Sequence, residues 1–205
     1  MSNEILYPDA AAAEKSKNKN DDNTKNAKAD SLEIDNDINF KTGPLSNIKP
    51  LKIEFDTFAD NRQTQDRIGD LRNGFGGKAG VVNTARPVPE IVHDAVVQIF
   101  AKNGHTANPA EKDIVISGSV DTYWFESQLR MSSVELMGTI DITLTVRDNK
   151  GNTLYTKKYS GHHDRILGLF WPKTIIEIMD AAMENLIDQI PYDTQLIEAI
   201  KSSQK

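Results

Sequence analysis

The sequence contains no cysteine, and that single absence removes several chemistries: a thiolate nucleophile, a thiolate metal site and a disulfide staple. It has no run of about 18 apolar residues, so it supplies no helix able to span a bilayer. The opening residues, Met1-Ser2-Asn3-Glu4-Ile5-Leu6-Tyr7-Pro8, show neither the basic start nor the apolar stretch of a secretory signal. The expectation is that the protein stays where it is made, or that its signal lies outside this sequence. Positive charge is also short. With 24 Lys+Arg against 30 Asp+Glu and a formal charge of −6, a broad basic face for phosphate neutralisation is not expected, and neither is a nucleic-acid partner.

What remains is enough for one core. At 205 residues, 38% of them hydrophobic and 26% charged, the chain can bury one core but not two large ones. Residues 1–45 read as a disordered tether and 46–205 as a single domain. Glu14 to Asp30 holds five lysines, four asparagines and four acids with no large apolar residue, so burial there cannot offset the entropy of ordering. Phe40-Lys41-Thr42-Gly43-Pro44 carries turn chemistry and marks the boundary.

The strongest pattern lies between Asp113 and Tyr159. Val134, Leu136, Ile140, Ile142, Leu144 and Val146 occupy even positions, with Glu135, Thr139, Asp141, Thr143, Thr145 and Arg147 between them. That alternation predicts a half-buried strand, each buried side chain contributing roughly 1.5 to 3 kcal/mol before the cost of ordering. Asp148-Asn149-Lys150-Gly151 turns the chain back into a strand ending near Tyr159. The preceding strand places Ile114, Ile116, Val120 and Trp124 on one face, interrupted by Gly118, which suits a bulge or a close neighbour. These three strands are expected to form an antiparallel meander. Leu51, Ile53, Phe55 and Thr57 predict an opening strand.

Helical spacing follows elsewhere. Val88, Ile91, Val92, Ala95, Val96, Ile99 and Phe100 make one stripe, with Pro89 and Glu90 in the first turn and Asn103-Gly104 at the exit. Ile175, Met179, Ala182, Met183, Leu186 and Ile190 make a second, ending before Pro191. Asp193 or Thr194 then caps a short helix carrying Leu196, Ile197 and Ile200. Helices packed on one face of a largely antiparallel sheet define an α+β two-layer sandwich.

Few residues point to chemistry. Asp60 to Gly80 carries Arg62, Arg67, Arg72 and Lys78 among five glycines, a loop that either moves or is held by a partner. Gly74 to Ala79 matches GxGxxA, but Ala79 to Val82 reads as strand and prolines precede the next helix, so a glycine hairpin or mobile loop is favoured over nucleotide binding. Tyr123-Trp124-Phe125 is an aromatic cluster suited to packing or to a partner. Gly161-His162-His163-Asp164 offers two imidazoles and a carboxylate, but neighbouring side chains in extended chain point oppositely and no HxH or HxxxH spacing accompanies them. His93 reads as a surface residue, and His105 as a favourable charge just past the negative helix terminus. Leu167-Gly168-Leu169-Phe170-Trp171 forms a partner or lipid-facing patch if exposed and a staple between helix and sheet if buried.

Phe58-Ala59-Asp60-Asn61-Arg62, the Val88 to Gly104 helix, Val146-Arg147-Asp148 and Asp193-Thr194-Gln195-Leu196-Ile197 give the body from Ile53 to Lys201 its character, and over that span it resembles the YajG-type family of bacterial lipoproteins. That family is similar in architecture to auxiliary lipoproteins of envelope transport systems. The resemblance implies a non-catalytic protein on the periplasmic face of the outer membrane, with no cofactor and no metal. Its lipobox cysteine is absent from this sequence. A cytoplasmic location is the alternative. The leading expectation is a binding module for an envelope protein or a lipid-like ligand, with Arg62, Arg67, Arg72, Tyr123, Trp124, Leu169, Phe170 and Trp171 as candidate contacts. A hydrolase or metal-dependent enzyme using His162, His163 and Asp164 is the alternative.

Overall fold

The computed structural model describes residues 38–72, 77–168 and 172–204. Of the tether expected over residues 1–45, residues 1–37 lie outside the described residues, as do the candidate contacts Leu169, Phe170 and Trp171. The fold is an α+β two-layer sandwich: one eight-stranded, largely antiparallel sheet with its helices on one face.

Three long strands form the larger part of the sheet. These are β6 (Ile114–Leu129), β7 (Val134–Asp148) and β8 (Thr153–Leu167), the expected antiparallel meander, with β8 at the edge of the sheet. The even stripe of β7 behaves as its pattern predicts, with Leu136, Ile140, Ile142, Leu144 and Val146 all buried. Gly151 takes a φ of +88° in the β7–β8 turn, a conformation that favours glycine. β8 runs on past Tyr159, so the Gly161 to Asp164 segment expected as a polar loop is strand.

The free edge of β6 is filled by a succession of short strands. β1 (Lys52–Phe55), β2 (Ala59–Asp60) and β3 (Gly69–Arg72) lie parallel to β6, opposite Ile114–Ile116, Ser119–Val120 and Phe125–Glu126 in turn. Their connections continue the ladder: Asp56 N donates to Ile116 O, Asn61 N to Val120 O, and Phe125 N to Ile68 O. β4 (Lys78–Val82) pairs antiparallel with β3, while Gly74 and Gly76 of the glycine-rich stretch lie outside the described residues. After α1 (Val88–Lys102), β5 (Thr106–Ala107) pairs with β1.

Parity along β6 departs from the sequence reading. The register shifts between Val120 and Thr122, so one extra residue turns Tyr123, Phe125 and Ser127 toward the core and Trp124 away from it. A period of two makes this unavoidable, because a single inserted residue exchanges the two faces. Gly118 is the close neighbour anticipated: a Cβ there would stand 2.7 Å from the Phe58 ring.

Helix α1 buries the expected stripe against β6 and β5. Helix α2 (Pro172–Ile187) crosses β7 and β8 where two glycines face it. A Cβ at Gly138 would meet Ile178 at 3.0 Å, and one at Gly161 would stand 2.0 Å from the Ala182 carbonyl oxygen. Neither glycine has a positive φ, so what the position demands is space rather than an unusual backbone. Asn185 of α2 and Gln189 just past its end also cover the edge of β8, Asn185 donating to His162 O and Gln189 to Ser160 O. Helix α3 (Thr194–Ser203) closes the layer, capped as expected by Asp193, whose Oδ1 accepts from Gln195 N and Leu196 N.

Packing begins ahead of residue 46. Leu45 is fully buried, Ile38 and Phe40 pack against the core, and Gly43 N donates to Asn103 Oδ1. His105 is buried too, not an exposed charge at the helix end. Its Nδ1 accepts from Leu51 N, and burial pushes the imidazole below its usual range, favouring the neutral ring. His93 is half-buried, edge-on to Phe55 and Phe58.

Candidate binding cleft

Between β2 and β3 the chain leaves the edge of β6, and the segment from Val82 to α1 passes beside this gap. Together they enclose a cleft of about 490 Å³ lined by Asp60, Arg62, Gln65, Asp66, Arg67 and Arg86, among others. Sequence reading finds the arginines of the first segment. It misses Arg86, which reaches the same cleft from the turn leading into α1.

Each arginine is held by carboxylates. Arg62 is buried at 7% exposure, its Nε and Nη2 each donating at 2.8 Å to the two oxygens of Asp60. It also donates to the Gln65 carbonyl, so it ties the loop together and is not free to take up a partner. The hydrogen bonds from Arg62 hold the Asp60 carboxyl below the usual carboxylate range. Arg67 is more open. Its Nε donates to Asp70 and its Nη1 to Asp66, and its guanidinium lies 5.8 Å from the centre of the Trp124 ring. Arg86 is half-exposed and pairs with Asp94 and Glu90 of α1. Fixed in this way, Arg67 and Arg86 present oriented donors for an oxygen-rich ligand at little further entropic cost.

The other candidate contacts separate. Arg72 is exposed at the end of β3. Tyr123 is only 1% exposed and faces the helices, while its neighbour Trp124 faces the other way with Arg67 over it. Tyr123 therefore belongs to the core, a consequence of the β6 bulge. The Gly74 to Ala79 motif runs into β4 and not into a helix, which leaves no helix N-terminus to receive a pyrophosphate.

The histidine segment is splayed by its strand. His162 lies on the exposed face of β8, near Asp164 at 3.7 Å and Thr139 at 3.2 Å, whereas His163 turns toward the helix side. Among the described residues no three His, Asp or Glu side chains gather as a metal-binding group.

One polar cluster has no signature in the sequence. Asp193 Oδ2 accepts from Tyr155 Oη at 2.9 Å, Lys157 Nζ at 2.8 Å and Tyr159 Oη at 2.8 Å. Burial pushes the Asp193 carboxyl up, but Lys157, Tyr159, the Leu196 amide and Tyr155 outweigh it and hold the pKa at about 2. Burial and the adjacent carboxylate push Tyr155 up to about 12 and Tyr159 further. All the acceptor capacity of the carboxylate is engaged, so the cluster fastens α3 to β8. Only the alternation of Tyr155, Lys157 and Tyr159 hints at a shared face.

No protein-family model and no curated protein matches the sequence. Among solved structures, a protein from Xanthomonas campestris of the family described as DUF330 is similar over 82% of this chain and 96% of its own, at 13% identity and a TM-score of 0.59. A putative neuraminyllactose-binding hemagglutinin homolog from Helicobacter pylori covers 84% of this chain and 99% of its own, at 10% identity and a TM-score of 0.47. A minor lipoprotein from Acinetobacter baumannii covers 72% and 92%, at 12% identity and 0.43. The likeness to the Xanthomonas protein establishes that the two share a fold.

Proposed function

We propose that this protein is a non-catalytic, lipoprotein-like module of the bacterial cell envelope that binds another envelope protein through the arginine cleft. The observation that carries this reading is the cleft itself, where Arg67 and Arg86 are oriented by carboxylates yet keep part of each guanidinium in contact with solvent. Such an arrangement recognises carboxylates or backbone carbonyls. The DUF330-like fold and the resemblance to YajG-type lipoproteins support an envelope role. The reading takes the protein to the periplasmic face of the outer membrane.

The test is site-specific crosslinking in envelope extracts, with a photoreactive residue at Gln65. The expected result is a defined crosslinked product that disappears in the Arg67→Ala/Arg86→Ala variant at unchanged melting temperature. No product, or the same product from both proteins, counts against the reading.

A further inference from the structure

Among the described residues the outer face of the meander carries no helix, and its two ends differ. Toward the β7–β8 turn its side chains satisfy one another: Thr143 donates to Asp121, Arg147 to Ser117, Thr145 meets Thr156, and Lys158 pairs with Asp141. Toward the β6–β7 turn the pattern changes. Of the four large hydrophobic residues exposed among the described residues, Met131 (106%) and Ile166 (57%) lie at this end, while Leu129 (37%) follows Tyr123, Phe125 and Ser127 on the helix side.

The registers place the surrounding groups. Trp124 stands opposite Thr139, and Thr139 opposite His162. In the next row Met137 has Glu126 on one side and Asp164 on the other. Beyond it, Gln128, Glu135 and Ile166 follow. Trp124, Met137 and Ile166 thus form a diagonal across three strands, spaced so that long side chains reach one another. The carboxylates beside Met137 are exposed. Among the described residues Glu126 has no ion pair, and Asp164 meets only the His162 imidazole, at 3.7 Å. The cations at this end are already engaged, Arg67 with Asp66 and Asp70, and Arg130 with Glu135.

We propose that this end of the open sheet face docks an extended, basic and partly apolar polypeptide segment. One lysine or arginine lies with its aliphatic stem on Met137 and its charged head between Glu126 and Asp164, while apolar side chains cover Ile166 and Met131. Charge complementarity selects the occupant. Two uncompensated carboxylates on a chain of formal charge −6 attract a basic segment and repel an acidic one or an anionic lipid surface. The stem and head of a lysine match an apolar residue flanked by acids. This surface adjoins the arginine cleft where Arg67 lies over Trp124, but Glu126, Met137, Asp164 and Ile166 are not among the cleft's lining residues.

A fluorescent ten-residue peptide alternating lysine and valine, titrated against the full chain by anisotropy, tests the proposal. Binding is expected, with none for the glutamate–valine counterpart. The Glu126→Gln/Asp164→Asn variant, nearly isosteric at exposed sites, is expected to weaken it roughly three- to tenfold, as loss of two exposed ion pairs should. Met137→Ser is expected to weaken it at constant charge. Glu111→Gln/Glu198→Gln, two exposed acids elsewhere, is the control and leaves it unchanged. The proposal is overturned if the control pair weakens binding equally, which would mark bulk charge alone. Equal binding of both peptides, or capture of neutral phosphatidylcholine vesicles without the peptide, also overturns it.

Discussion

Replacing Gly161 with alanine inserts one methyl group where α2 meets the sheet most closely. The new Cβ would stand 2.0 Å from the Ala182 carbonyl oxygen, 2.7 Å from Leu186 Cβ and 2.8 Å from Leu186 N. Two of these three atoms are helix backbone, so no rotamer change relieves the clash. Ordinary contact begins near 3.4 Å, and α2 must therefore lift by more than about an ångström at this point. The lift loosens Ile178, Met179, Ala182 and Leu186, all essentially inaccessible to solvent. Overpacking costs typically about 1 to 3 kcal/mol, and a clash with backbone belongs at or above the top of that range. The intrinsic gain from removing a strand glycine, about 0.5 to 1 kcal/mol, offsets part of it. We expect a net loss of about 3 kcal/mol in urea unfolding and a melting temperature lower by roughly 6 to 12 °C. Gly80→Ala serves as the control, because its Cβ would find only Leu71 at an ordinary 3.6 Å. A Gly161→Ala protein that melts within about 2 °C of wild type would refute the claim that space fixes this residue.

Other outcomes follow from the same contacts. Asp193→Ala removes the α3 cap and leaves the buried Tyr159 hydroxyl without its acceptor, and is expected to cost about 2 to 4 kcal/mol in urea unfolding; Asp193→Asn, which retains a capping oxygen, should cost less. Because the folded pKa of Asp193 is about 2 against an ordinary 3.8, its stabilising contribution is complete above pH 3.8 and is lost as the pH falls toward 2, a change of about 2 kcal/mol visible in acid titration by circular dichroism. His105 acts in a separate window: its folded pKa is depressed, so stability falls as the pH drops below about 6.5, and His105→Asn should flatten that part of the profile. Gly118→Ala should destabilise by about 1 to 2 kcal/mol through Phe58, and Phe58→Leu in the same chain should recover part of the loss; additive effects in a double-mutant cycle would refute that coupling.

The elements legible in the sequence were those whose stabilising pattern is local. The β7 stripe, the α1 stripe and the Asp193 cap each depend on spacing within a few residues, and each stands where that spacing puts it. What escaped depends on long-range partners. The bulge beside Asp121 changes which face Tyr123 and Trp124 occupy, and nothing in the local alternation announces it. His105 looked like a terminal charge because its burial is made by Leu51 and the packed segment around Leu45. Arg62, Arg67 and Arg72 were grouped as one loop, whereas the structure buries the first, stacks the second on Trp124 and leaves the third at a strand end. Their carboxylate partners, Asp60, Asp66 and Asp70, lie within a few residues, but only the fold shows that Arg86 joins them at the cleft.

The three short strands laid end to end along β6 impose an order on how the molecule can be made. The first two of them end at residue 60, before the long strand they need has been synthesised, and β6 finishes only at Leu129. During synthesis on the ribosome, β1 and β2 therefore emerge with their ladder donors unmatched and must wait for some seventy residues of further chain. A nascent chain stalled before Ile114 should be open to proteolysis, and one extended beyond Leu129 should abruptly resist it.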